Sequence, residues 1–189
     1  MKKYIVAAFL AISLFLVPQT ASAVEDPDPA GTVIVGTHFG ADFVVGMSSG
    51  LTLGPTLYIT GDYVLSDSWW IGHFTVGAAA GFTYVGNIQM SSGVETRANY
   101  FIGARTTYGI NFSDRFECHV GFTAAPYLHY DQVVNNDGSL KYAKPSSIKF
   151  SVGGLFGARY ALNDRLGISA EFNTSEYQPY LSLGLNYKL

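Results

Sequence analysis

The 189-residue chain lacks several features of a soluble globular domain. Its only cysteine is Cys118, so no cysteine follows the N-terminal run as the acceptor of a lipoprotein anchor. Charged residues make up 13% of it, about half of the ~25% usual in soluble domains. Beyond the N-terminal run, no hydrophobic stretch reaches the ~20 residues that a membrane-spanning helix needs. High hydrophobicity without spanning helices indicates strands.

The first residues predict export. Residues 1–23 have the order of a secretory signal peptide, with two lysines, an apolar run and the small residues Ala-Ser-Ala at the end. We expect cleavage after Ala23. An uncleaved anchor is the alternative, but the apolar run is short for a spanning helix. Residues 24–30 would form a short periplasmic tail, and residues 31–189 would form one domain.

The charge balance argues against one class of partner. Without Lys2 and Lys3, nine bases remain against 14 acids, a net charge of about −5. Nucleic acid attracts proteins mainly through basic residues, so we expect no nucleic-acid partner. No motif in the chain indicates a cofactor.

Apolar and polar residues alternate along the chain's predicted strands. Side chains two apart in a strand share a face, so a period of two separates an apolar face from a polar one. In the last strand, the apolar residues Leu181, Leu183, Leu185, Tyr187 and Leu189 alternate with Ser182, Gly184, Asn186 and Lys188. Four strands carry two or more charges, and each keeps them on one face; these strands are centred on Arg105, Glu117, Arg159 and Glu171.

Strands in lipid must form a closed barrel, because lipid offers no partner for an open edge. Three short turns around Asp67, Asp114 and Asp164 alternate with four longer polar loops, and together they join eight strands. The prediction is an all-β, eight-stranded, antiparallel up-and-down transmembrane barrel whose termini lie on the periplasmic side. The loops fall near 48–50, 87–93, 131–147 and 174–178. The predicted strands are 32–46, 51–65, 69–86, 95–112, 115–130, 147–162, 165–173 and 179–189.

Aromatic residues on the apolar face form two levels, as in the interface girdles of outer-membrane barrels. The level near the short turns contains Tyr63, Trp70, Tyr108, Phe112, Phe116, Tyr160 and Tyr187. The level near the long loops contains Tyr84, Tyr100 and Tyr130.

A soluble barrel with its apolar face inward is the alternative architecture. Its exterior would be roughly 25–35% charged, whereas the polar face here is mostly Gly, Ser, Thr and His. With the faces exchanged, Arg105 and Arg159 would face lipid at a cost of about 2–4 kcal/mol each near the midplane. We therefore place the polar face in the lumen.

The lumen is the main candidate site. Its predicted polar residues are nearly balanced in charge: Asp62, His73, Arg105, Glu117, His119, Arg159, Glu171 and Lys188. An eight-stranded barrel is just wide enough for side chains to fill it, so we expect paired networks that close the lumen. We expect Arg159 to bond Glu117 or Asp62. A narrow pore for ions or small solutes is the alternative.

The chain resembles the small eight-stranded outer-membrane barrels, the family of outer-membrane protein X and the membrane domain of outer-membrane protein A. The terminal residues carry the resemblance: Ser182, Gly184, Tyr187 and Leu189 are similar to the terminal assembly signal of that class. The family usually ends on Phe or Trp, where this chain has Leu189. Residues 157–172 also resemble the late strands of barrels common in the Bacteroidota. The resemblance implies that the outer-membrane assembly machinery recognises the last strand.

The resemblance implies a non-enzymatic protein that serves envelope structure, surface adhesion or host interaction through its extracellular loops. The longest loop, 131–147, would form a hairpin above the membrane, with Lys141 and Lys144 open to protease. We expect a monomer with outer-membrane lipids as its surroundings and a host or surface ligand as its possible partner.

Two other candidate sites remain. Some eight-stranded barrels modify outer-leaflet lipids, and His129, Asp131 and Ser146 or Ser147 form the only candidate triad. His38 and Asp42 share a face of the first strand, which is too little to predict a metal site. Cys118 falls on the lipid face, where we expect it to act as a small apolar filler.

Overall fold

A computed structural model describes residues 28–46, 50–66, 72–90 and 93–189 of the chain. Eight antiparallel strands form one closed barrel in sequence order, which confirms the predicted fold. No helix in these ranges is long and apolar enough to cross a membrane. The strands are β1 (Val33–Gly46), β2 (Gly50–Val64), β3 (Gly72–Met90), β4 (Gly93–Ser113), β5 (Phe116–Val134), β6 (Leu140–Ala161), β7 (Leu166–Asn173) and β8 (Leu181–Lys188).

The strands are strongly tilted, as their register shows. Cross-strand partners followed once around the barrel from Gly157 of β6 return to β6 at Ser147, ten residues away. Such a stagger requires strands that are tilted from the barrel axis. The path runs through Glu171, Ser182, Gly40, Thr56, Thr83, Asn99 and His129.

The two faces of the strands have the predicted contents. Phe39, Ile102 and Leu183 point outward and are exposed, whereas Arg105 and Glu171 point inward and are buried. Apolar exposure on this scale suits lipid rather than water.

The strands differ in length more than the sequence predicts. β5 and β6 continue to Val134 and from Leu140, so most of the predicted loop 131–147 is strand. The predicted loop 87–93 is also largely strand, because β3 ends at Met90 and β4 begins at Gly93. The physical reason is that above the lipid both faces of a strand meet water, so the apolar alternation that marks a strand disappears. β7 and β8, in contrast, have eight residues each.

The short turns use the predicted chemistry. In one of them, the backbone N–H groups of Arg115 and Phe116 donate to Ser113 Oγ. In another, Arg165 and Leu166 donate to Asn163 Oδ1. Such side-chain acceptors hold the chain in a tight reversal. The third predicted turn, with Asp67 and Trp70, lies outside the described residues.

The segment before β1 folds back under the barrel. Gly31 N–H donates to Val64 O at 2.9 Å, and Thr32 N–H donates to Pro29 O at 3.0 Å. Asp28 is thereby buried at the short-turn end of the lumen. The sequence predicts a short periplasmic tail at 24–30, and within it Asp28 is buried. The predicted signal peptide, 1–23, lies outside the described residues and stays a prediction.

Candidate functional site

The lower lumen, nearest the short turns, contains two neighbouring ion pairs. Arg159 of β6 donates from Nη1 to Glu117 Oε2 of β5 at 3.1 Å, the first of the two partners predicted for it. Asp28 lies 2.5 Å from Lys188 Nζ and 3.8 Å from Arg159 Nη1. The four groups join β5, β6, β8 and the N-terminal segment. Removing one partner of such a buried pair leaves a charge without compensation.

The middle of the lumen is organised by Arg105 of β4. Its guanidinium donates to both carboxylate oxygens of Glu171, at 2.8 and 3.3 Å. Its Nε lies 3.1 Å from Asp62 Oδ1 on β2. A guanidinium that meets a carboxylate with two nitrogens fixes both side chains in orientation. Asp62 was the second of the two partners predicted for Arg159. In the structure, Asp62 neighbours Arg105.

Histidine extends the network between the two levels. His119 Nδ1 lies 3.1 Å from Glu117 Oε1, and His119 Nε2 lies 3.4 Å from Glu171 Oε1. The ring can donate to both carboxylates only as an imidazolium. In that state, the network would contain equal numbers of positive and negative groups. The four cations would be Arg105, His119, Arg159 and Lys188, and the four carboxylates are Asp28, Asp62, Glu117 and Glu171. His73, also on the predicted list, lies 3.9 Å from Glu117.

An aromatic cluster fills the lumen above the charges. Tyr58, Phe101, Tyr127 and Tyr177 are all buried there. The ring of Tyr177 lies 4.9 Å from that of Phe101 and 5.8 Å from that of Tyr127, between centroids. These distances are typical of attractive aromatic pairs. We call these four residues the aromatic cap.

The loop between β7 and β8, residues 174–180, brings Tyr177 into the barrel. Thr83 donates from its hydroxyl to Tyr177 O at 2.9 Å, and Tyr127 OH donates to Glu176 Oε2 at 2.7 Å. At the base of the loop, Asn173 Nδ2 bonds Gln178 Oε1. The loop is therefore tied to β3 and β5 across the lumen and folds inward.

Tyr58 connects the aromatic cap to the charges below it. Its hydroxyl donates to Glu171 Oε2 at 3.2 Å and lies 2.6 Å from Ser182 Oγ. Its ring stacks on His38 with the centroids 4.6 Å apart. Buried tyrosine usually finds such a polar partner.

The mouth near the long loops contains the predicted His129 and Asp131 pair. His129 Nε2 lies 3.0 Å from Asp131 Oδ1, and His129 Nδ1 lies 2.6 Å from Asn99 Oδ1. Ser147 is the cross-strand partner of His129. A serine nucleophile needs one ring nitrogen of its histidine as the proton acceptor. Both nitrogens already have an oxygen neighbour, so the arrangement does not activate a serine.

The β5–β6 turn at the tip of the barrel is closed by its own side chains. Asn135 N–H donates to Ser139 O at 2.8 Å, and Gly138 has a φ of 83°, which favours glycine. Ser139 donates to Asp137 Oδ1 from its backbone at 2.8 Å and from its hydroxyl at 2.6 Å. These hydrogen bonds lower the pKa of Asp137, because they favour the ionised carboxylate.

Among the residues that the structure describes, one group of side chains has the donor atoms of a metal site. Asp28, His73 and Glu117 each place a donor atom within 4.8 Å of the others. The same two carboxylates already neighbour Arg159 and Lys188. A divalent ion would have to compete with both cations, so the geometry favours ion pairs. For the His38 and Asp42 pair, the Asp42 side chain is not among the described ones.

A sequence-family comparison decides the identity of the barrel. The family described as "Outer membrane protein beta-barrel domain" matches residues 7–188. The chain belongs to this family. Membership places the barrel in the outer membrane, with the short turns on the periplasmic side and the long strands on the extracellular side. No curated protein matches the chain by sequence.

Solved outer-membrane barrels share the fold at low sequence identity. Ail, the attachment invasion locus protein of Yersinia pestis, is 13% identical with a TM-score of 0.57, and the match covers 85% of this chain and 99% of Ail. Neisserial surface protein A is 18% identical with a TM-score of 0.52, covering 85% and 98%. OprG from Pseudomonas aeruginosa is 13% identical with a TM-score of 0.51, covering 88% and 99%. These likenesses establish the architecture alone.

The predicted girdle residues that the structure describes lie on the outer face of the barrel. Tyr108 and Tyr130 are half-buried, and Trp70 lies outside the described residues. The others are exposed: Tyr63, Tyr84, Tyr100, Phe112, Phe116, Tyr160 and Tyr187.

The terminal residues that carry the family resemblance also pack the lumen. Ser182 is buried against Tyr58. A Cβ atom on Gly184 would lie 2.6 Å from His38 Nδ1 and 2.7 Å from Ser169 Oγ, so a larger residue would displace one of them. Tyr187 and Leu189 are exposed outward. Recognition of these residues by the assembly machinery stays a prediction.

Sequence reasoning missed Asp28 and the four residues of the aromatic cap. Asp28 precedes the first strand, where strand periodicity gives no information. Tyr177 sits in a polar loop, and nothing in the sequence indicates that this loop turns inward. Tyr58 could have been found, since it shares a face with Asp62 in β2.

Proposed function

We propose that this chain is a non-enzymatic outer-membrane barrel with a closed lumen that binds an external partner through its extracellular sheet. The observation that carries the proposal is the unequal height of the wall. β3 to β6 have 19 to 22 residues each, whereas β7 and β8 have eight. At roughly 2.5 Å of height per tilted residue, the long strands extend well beyond a ~25 Å apolar band.

The packed lumen supports a structural rather than a transport role. Ion pairs occupy the lower and middle levels, and the aromatic cap lies above them. An eight-stranded barrel leaves little room beyond its own side chains. A narrow pore would require both the ion pairs and the aromatic cap to move out of the lumen.

The extracellular sheet supports adhesion or host contact. Its tip, from Asn135 to Lys141, is mostly exposed. A protrusion that serves only the envelope has no need to extend so far from the membrane. Ail is named for attachment and invasion, and we extend such a role to this chain as part of the proposal.

The lipid-modifying alternative has less support. Both ring nitrogens of His129 are engaged, and the side chain of Ser146 is not among the described ones. Hydrolysis of a lipid ester or amide by the folded barrel, lost on changing Ser147 to Ala, would overturn the non-enzymatic proposal.

One ligand class is suggested by the charge of β6. From Gly138 to Asn163, the sequence has no acidic residue, and its extracellular part has Lys141 and Lys144. One solved structure of Ail, 11% identical over 85% of this chain with a TM-score of 0.53, contains the heparin analogue sucrose octasulfate. A sulfated glycan is therefore the ligand class to test first. Elution from heparin beads at lower salt after Lys141→Gln and Lys144→Gln would support it, with Arg115→Gln and Arg165→Gln on the periplasmic turns as matched controls.

The central experiment separates closure from binding. Refolded barrel, verified by heat-modifiable gel migration, is placed in a planar bilayer, where we expect no steady current. In parallel, cells displaying the chain are tested for binding to host-cell layers, with a variant in which a two-residue Asn-Gly turn replaces 133–142. We expect weaker binding by the variant at equal surface amount. Steady current, or unchanged binding, would contradict the corresponding half of the proposal.

A further inference from the structure

Two strand edges in the outer half of the barrel wall have no neighbouring strand within the described residues. β7 pairs with β6 only over Leu155–Ala161, and β8 pairs with β1 only over Ile34–Ala41. β6 nevertheless continues up to Leu140, and β1 continues to Gly46. We call the resulting gap the notch. It lies above the β7–β8 loop, with the β6 edge on one side and the β1 edge on the other.

The backbone of β6 directs hydrogen-bonding groups into the notch. Gly154 N–H donates to Thr174 Oγ1 at 2.8 Å, and Thr174 N–H donates to Gly154 O at 3.0 Å, so the backbone of Gly154 faces the β7 side. Alternate residues of a strand direct their N–H and C=O groups to the same side. Ile148, Phe150 and Val152 therefore present theirs to the notch.

This part of the edge lies at the level of lipid. The side chains of Ile148, Phe150 and Val152 point outward and are 80%, 68% and 61% exposed. Ile148 pairs with Leu128, which lies below Tyr130 of the extracellular girdle. Sheet edges exposed to lipid do not persist, because lipid has no groups to satisfy them. The edge therefore requires a partner.

We propose that a second copy of this chain closes the notch. β1 runs toward the cell exterior and β6 toward the periplasm, so the β6 edge of one copy can pair antiparallel with the β1 edge of the other. A two-fold axis along the membrane normal forms both pairs at once and leaves neither edge open. The two edges are complementary in charge. Asp42 is the only charged residue in 42–46, and Lys149 is the only one in 146–153. The proposal replaces the monomer that the sequence leads us to expect.

Cysteine cross-linking tests the geometry directly. In a Cys118→Ser background, chains with Phe150→Cys are mixed in liposomes with chains with Phe43→Cys and mildly oxidised. Ile148→Cys and Val152→Cys, each mixed with Phe43→Cys, cover the two neighbouring registers. A disulfide needs Cα atoms about 4.4–6.8 Å apart. We expect disulfide dimers in the mixtures and none with either chain alone, because the two β6 edges lie on opposite sides of the axis. Dimers formed by Phe150→Cys alone, or none in any mixture, would overturn the proposal.

Two proline variants supply the second measurement. Phe150→Pro removes an N–H that faces the notch, whereas Lys149→Pro removes one that faces β5 inside the barrel. We expect the Phe150 variant to fold, as judged by heat-modifiable migration, with a dimer fraction at least about tenfold lower in subunit counting. The Lys149 variant should instead lose folding yield. Wild-type dimer levels in the folded Phe150→Pro barrel would contradict the proposal, as would monomers in the wild type.

Discussion

At the scale of single residues, the lower lumen depends on Arg159. Arg159→Met removes the cation between Glu117 and Asp28 and leaves two carboxylates facing each other in a buried site. We expect a loss of about 3–5 kcal/mol in the free energy of unfolding, because an uncompensated buried charge is costly. Urea unfolding in lipid vesicles, followed by fluorescence, measures it.

The matched control is Arg165→Met, on an exposed periplasmic turn. Its exposed side chain donates a 3.4 Å hydrogen bond to the hydroxyl of Tyr187, so we expect a change within about 1 kcal/mol. Equal losses for the two variants would show that the Arg159 pair does not hold the lower lumen together. An appreciable current through the Arg159 variant would favour the pore alternative.

Asp137 gives a pH dependence at the extracellular tip. Hydrogen bonds from Ser139 lower its pKa below the ordinary 3.8, so the folded turn prefers the ionised carboxylate. The stabilisation is therefore present above the ordinary pKa and is lost as the pH falls through the lowered one. We expect the Ser139 amide resonance to titrate with a midpoint below 3.8 in NMR spectra of the barrel. Asp137→Asn should abolish the titration, and a midpoint at or above 3.8 would disprove the arrangement.

At the scale of elements, the β7–β8 loop depends on one side chain. Tyr177→Ala removes the ring that packs on Phe101 and Tyr127, and it leaves a cavity under the loop. We expect a loss of about 3–5 kcal/mol, as for other buried aromatic residues. Tyr180→Ala, in the same loop but exposed outward, should cost much less. Protease cleavage of the loop should increase only in the Tyr177 variant, and equal cleavage would argue against insertion of the loop.

The elements also show what the sequence can predict. Inside the bilayer, lipid on one side and the lumen on the other impose a period of two, so the alternation in β8 located the strand and its faces. Above the bilayer both faces meet water, so the upper parts of β5 and β6 were predicted as loop. The contact of Arg159 with Glu117 followed from shared level and opposite charge. The inward fold of Tyr177 depends on the shortness of β7 and β8, which no local pattern encodes.

At the scale of the whole molecule, the proposed closure of the lumen has two parts in series. The ion pairs around Arg159 and Arg105 occupy the lower and middle levels, and the aromatic cap occupies the upper level. The two closures are built from different side chains, so the loss of one leaves the other in place. Because resistances in series add, either closure alone should suppress current.

This arrangement predicts that only combined variants conduct. Tyr177→Ala alone should give no steady current, and neither should the double change Glu117→Ala with Arg159→Ala, which removes a cation and a carboxylate together. The triple variant should give a small steady current in a planar bilayer, because both levels are then widened. Tyr180→Ala in place of Tyr177→Ala should keep the triple variant silent. A current through either partial variant would mean that one level alone closes the barrel, and silence of the correctly folded triple variant would place a further barrier at Arg105.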